Sequence, residues 1–162
     1  MAIDPPADVT LTPLGGEART LREWLVTFHL CAVVLDPFTN ESSWLLETAG
    51  KFLTGYAAAD VRVAWIVTGT EAEARQFLGP WADRLLTFVD PEREVVKALG
   101  LAELPAVVHL NTSGALEDSA EGWDPDAWRR VAENLSRILS WSRPNIPAPG
   151  DPVAFAGSPA LG

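Results

Sequence analysis

Four nearly unbroken apolar runs constrain this chain most: Thr27–Leu35, Val61–Val67, Leu85–Val89 and Ala106–Leu110. Each has the length of a strand, and a strand without polar alternation is one covered on both faces. Helical patterns separate the runs. Leu45, Ala49, Phe52, Leu53 and Tyr56 fall on one helical face, with Gly55 near its end. Thr70 and Glu73 have the spacing of a capping box, which opens a short helix that stops at Gly79-Pro80. Asp90-Pro91 reads as a cap and a first-turn proline for a helix carrying Val95, Val96 and Leu99 and ending at Gly100. Strands joined through helices run parallel, so the core is an α/β sheet with helices on both faces.

The ends of the chain modify that plan. Val9–Leu14 and Glu17–Leu21 flank Gly15-Gly16 and predict an N-terminal β-hairpin. Asn111–Gly114 predicts a turn into a further strand over Ala115–Ala120, which makes the sheet mixed. Asp124-Pro125 opens a last helix with Trp128, Val131, Ala132, Leu135, Ile138 and Leu139 on one face. From Arg143 onward five prolines and three glycines fill twenty residues, the composition of an extended tail. The expected organisation is a flexible stretch over 1–8, one domain over 9–142 and a Pro/Gly-rich tail over 143–162. That tail is either a strap along the domain or a loose end.

Composition excludes several functions. A net charge of −10 opposes binding to nucleic acid or anionic lipid. No apolar run approaches ~20 residues, and Met1–Asp8 lacks a secretory pattern, so a cytoplasmic location without a membrane is expected. A single cysteine, Cys31, excludes an intramolecular disulfide and a CxxC centre.

Leu104-Pro105 opens the last core strand after a helix, a glycine and a short loop. With Asp90–Pro105 and the Gly15-Gly16 hairpin, it makes the span from Val9 to Leu139 resemble the thioredoxin-like superfamily. The hairpin resembles that of peroxiredoxins and membrane-anchored thiol–disulfide oxidoreductases. The resemblance implies a three-layer thioredoxin-like sandwich, a cis peptide at Pro105 and a groove beside it that holds extended peptide. A flavodoxin-like sheet is the alternative, but Asp36–Asn40 has no glycine to cradle phosphate. In the oxidoreductases a reactive cysteine opens the helix after the first core strand. Here Thr39-Asn-Glu-Ser42 resembles the Thr-x-x-Cys of peroxiredoxins with serine at the cysteine position. The resemblance therefore implies the fold and the groove without the redox centre.

The expected groove comprises Asp36, Phe38, Thr39, Asn40, Ser42, Trp44, Leu104, Pro105 and Trp123. Phe38, Trp44 and Trp123 are either an exposed anchor patch or core. Asp36 is either a turn residue or a buried carboxylate beside a ligand pocket. The leading expectation is a protein-interaction module with an unidentified protein partner, or a homodimer, and no cofactor. A second is a thiol or metal enzyme. His29 and Cys31 share a strand face, and an antiparallel Pro105 strand brings His109 opposite Cys31. A third is a small-ligand carrier. The acidic residues Glu117, Asp118, Glu121, Asp124 and Asp126 read as solvated charges, or as a site for a hard cation.

Overall fold

A computed structural model describes residues 2–162. The hairpin is β1 (Thr10–Pro13) and β2 (Arg19–Thr20), followed by one helical turn, α1 (Leu21–Trp24). Then come β3 (His29–Leu35), α2 (Asn40–Thr54), β4 (Val61–Val67), α3 (Glu71–Leu78), α4 (Trp81–Arg84) and β5 (Leu86–Val89). The second half runs α5 (Glu94–Leu99), β6 (Glu103–Leu104), β7 (Ala106–Leu110), β8 (Leu116–Glu121), α6 (Pro125–Leu139) and β9 (Ser158–Pro159).

Seven strands form one mixed sheet in the order β2-β1-β5-β4-β3-β7-β8. β3, β4 and β5 are mutually parallel, while β7 runs antiparallel to β3 with Cys31 opposite His109. Alternate residues of β3 feed two cores. Cys31, Val33 and Leu35 pack with α2 and α6 through Leu45, Phe52, Trp128 and Leu135. Leu30, Ala32 and Val34 pack with α1 and α5 through Leu21, Trp24, Val96 and Leu99. Each fully buried aliphatic or aromatic side chain stabilises by about 1.5–3 kcal/mol, so burial on both faces makes the central strands the most stable part of the sheet. This is the expected thioredoxin-like three-layer sandwich.

One local expectation is corrected. Proline 91 does not start a helix. α5 begins at Glu94, and the Asp90 carboxylate reaches forward to accept from the Val95 and Val96 N–H groups at 3.1–3.2 Å. α3 ends at Leu78 with Gly79 as its C-cap, and after Pro80 the residues Trp81–Arg84 add a separate helical turn. The stretch over 143–162 is extended, yet it packs on the domain as a strap: Ile146, Ser158 and Ala160 are buried. Of the stretch expected to be flexible over 1–8, Met1 lies outside the described residues. Ile3 and Ala7 are tied to the domain by main-chain bonds to Leu99 and Arg22.

Candidate functional site

The site lies where β3 ends, α2 begins and β6 turns into β7. The Leu104–Pro105 peptide is cis, and both residues are buried. After β3, Asp36 makes a tight turn. Its Oδ1 accepts from the Phe38 N–H at 2.9 Å, and the Thr39 hydroxyl donates to the Asp36 carbonyl at 3.2 Å. Thr39 occupies the N-cap position of α2, but its side chain makes no capping bond. Ser42 is fully buried, and its Oγ accepts from the Asp36 N–H at 2.9 Å. Ser42 Oγ thus helps to hold the turn.

Asp36 is more than a turn residue. Its Oδ2 pairs with the Arg93 guanidinium at 2.9 Å, and both side chains are largely buried. Both carboxylate oxygens are therefore engaged, which leaves no free carboxylate for the expected ligand pocket. Arg93 is the N-cap residue of α5 and has the left-handed φ of 57°. A non-glycine residue there costs of order 1–2 kcal/mol. Its guanidinium, which can only donate and so cannot cap, bridges Asp36 to the Ala160 carbonyl, while the Asp90 carboxylate supplies the cap.

The expected aromatic patch divides. Phe38 and Trp44 are exposed, and Asn40 is exposed beside them. Trp123 is a correction: it is 1% exposed, its ring packs edge-on against Trp128, and its Nε1 donates to the Pro152 carbonyl. It lies beneath the strap as core.

The strap itself reaches the groove. Asp151 anchors it by accepting from the Thr48 hydroxyl and the Ala148 N–H. Phe155 exchanges two main-chain bonds with Trp123, at 2.9 and 3.0 Å, and sets its ring edge-on against Trp44 at 5.5 Å. β9 then pairs antiparallel with β6, Leu104 opposite Ser158 and Glu103 opposite Pro159. Sequence analysis missed Arg93, Phe155 and Ser158. The one available signal was Phe155, the single aromatic residue after Trp141.

At the far end of the sheet, His29 Nδ1 and His109 Nε2 are 2.8 Å apart. His109 is fully buried, its Nδ1 has no partner, and burial beside His29 pulls its pKa down to about 4. Cys31 is also fully buried, and desolvation pushes its thiol up to about 12. The expected cross-strand placement is present, but a metal centre is not: among the described residues no group of three His, Cys, Asp or Glu side chains converges on one point. The acidic residues are engaged within the domain and, among the described residues, form no metal-binding group. Asp118 is bound by Arg130 and Asn134, Asp124 caps α6, Asp126 pairs with Arg129, and Glu121 accepts from the Ala102 and Glu103 N–H groups.

No described helix is long and apolar enough to cross a membrane. No family model matches the chain, and no curated protein matches it. Solved structures do. A hypothetical protein from Sinorhizobium meliloti superimposes with a TM-score of 0.70 at 17% identity, covering 99% of this chain and 94% of its own. A thiol:disulfide interchange protein described as a putative DsbE, from Chlorobium tepidum, gives 0.70 at 14% identity over 86% of this chain and 98% of its own. Peroxiredoxin Q from Xanthomonas campestris gives 0.65 at 13% identity over 85% and 96%. The chain has the thioredoxin-like fold of these thiol–disulfide oxidoreductases, with one cysteine and no CxxC.

Proposed function

We propose that this is a redox-inactive thioredoxin-like module that binds an extended segment of another protein in the groove beside Pro105. One observation supports the proposal: Ser42, which the resemblance puts where a reactive thiol would stand, is buried with its Oγ accepting from the Asp36 N–H, beside elements suited to binding a peptide. Those elements are a main-chain edge at Glu103–Leu104 and an exposed aromatic, Trp44, at the start of α2. A thiolate is the nucleophile of disulfide chemistry, and a serine hydroxyl without an adjacent base does not replace it. The only thiol is sealed in mid-sheet with its pKa raised to about 12. An edge strand beside an aromatic is instead suited to adding an extended peptide through main-chain bonds.

The test is turnover. Disulfide reduction with dithiothreitol and peroxide consumption are measured for the wild-type chain and for Cys31→Ser. The expected rates equal the protein-free background for both. Turnover by the wild type that disappears in Cys31→Ser overturns the proposal.

A further inference from the structure

The groove is already filled by the chain's own strap. We propose that Phe155–Ala160 is an intramolecular stand-in for a partner's peptide. The groove is then closed at rest and opens by strand exchange with an extended peptide that carries an aromatic residue two positions before a glycine. This rests on the reading of the groove as a peptide site and adds its regulation and the chemistry of its ligand.

Most of the strap's attachments are ones that any extended backbone makes. Phe155 pairs with Trp123, Ser158 with Leu104, and the Ala160 N–H donates to the Ala102 carbonyl at 2.9 Å. The Arg93 guanidinium also takes a main-chain group, the Ala160 carbonyl. Three side chains of the segment tie it to the domain, Phe155 packed on the core and Ser158 and Ala160 buried, whereas Ala156, Pro159 and Leu161 are exposed. The upstream anchors at Asp151 and Pro152 are separate, and exposed Val153 and Ala154 lie between. Phe155–Ala160 can leave while the anchors stay.

Three contacts depend on sequence and define the ligand. The Phe155 ring meets Trp44. The Ser158 hydroxyl donates to the Leu104 carbonyl at 3.2 Å. Gly157 passes so close to β6 that a Cβ there would lie 2.7 Å from the Leu104 carbonyl oxygen. The opposing wall is also glycine: a Cβ at Gly122, whose φ is +65°, would lie 2.8 Å from the Gly157 nitrogen. Two main chains meet across two glycines, so a competing peptide needs glycine at that point. A tether gives the strap an effective concentration of order mM, so a free peptide competes poorly until the strap is weakened.

Two measurements test this. In the wild-type chain, hydrogen exchange compares the Phe155 and Ala160 amides with those of Val33 and Val107. The proposal expects the strap amides to exchange at least 100-fold faster, by local opening. Equal rates make the strap part of the global fold and overturn it. In the second, a fluorescent peptide of residues Val153–Gly162 is titrated into wild type and into full-length Gly157→Val. Saturable binding at least tenfold tighter to the variant is expected, and lost when the peptide carries Gly157→Val or Phe155→Ala. Equal binding to both chains, or binding indifferent to those peptide changes, overturns it. Neither readout involves turnover. Catalysis through Cys31 would remove the redox-inactive reading without altering strand exchange, and locked strap amides would remove only strand exchange.

Discussion

Cys31 and His109 face each other across β3 and β7 with opposite prospects for chemistry. Burial removes the thiolate from Cys31 at neutral pH. A thiol reagent is therefore expected to leave the native chain untouched at pH 8 and to modify one thiol in denaturant. Rapid modification of the native chain would contradict this. His109 is depressed to about 4 from an ordinary 6.5, because its charged form would be buried with an Nδ1–H lacking an acceptor. His29 opposes the charge, and Glu117 and Asp118 only partly favour it. The unfolded chain binds the proton first. Stability from this residue is thus complete above about pH 6.5, declines as pH falls and is fully lost below about pH 4. At about 1.4 kcal/mol per pH unit the loss is roughly 3 kcal/mol. Urea denaturation at pH 7.5 and 4.5 checks it: the wild type should lose more stability than His109→Gln, and equal losses contradict the assignment.

At the scale of elements, the α5 start shows how the site is supported. Arg93 occupies the N-cap without an acceptor to offer, so Asp90 supplies the capping oxygens from three residues back, and the Arg93 guanidinium serves Asp36 and Ala160 instead. Burial pushes the Asp90 carboxyl up, against the pull of the Val95 and Val96 N–H groups. Asp90→Ala is expected to destabilise the chain by about 1–2 kcal/mol in urea. An unchanged midpoint would mean that the cap is supplied elsewhere. This element was only half legible in the sequence. Asp-Pro marked a helix start, but the tight turn at Pro91 and the left-handed Arg93 delay it to Glu94, and no local pattern encodes a residue whose side chain serves a strap 67 positions away.

For the whole molecule, the sheet was legible because burial on both faces writes itself into strands as apolar runs. The Cys31–His109 pairing was expected only on the antiparallel arrangement that the resemblance implied, and the register has it. The strap was legible only as one of two alternatives, beside a loose end. Pro/Gly-rich sequence has no periodicity, and its partners are main-chain groups of Ala102, Leu104 and Trp123, which carry no sequence signature. Trp123 was ambiguous for the same reason, since the chain that covers it is this strap. The fold thus brings Ser42, the cis Leu104–Pro105 peptide and the strap's β9 to one pole.

The claim that this pole recruits a protein is tested most directly by native co-purification with mass-spectrometric identification. Wild type, Trp44→Ala and Gly157→Val are run side by side. The account predicts one stoichiometric partner with the wild type, several-fold less with Trp44→Ala and more with Gly157→Val. A partner recovered equally by all three, or a chain that elutes alone in every form, would contradict it.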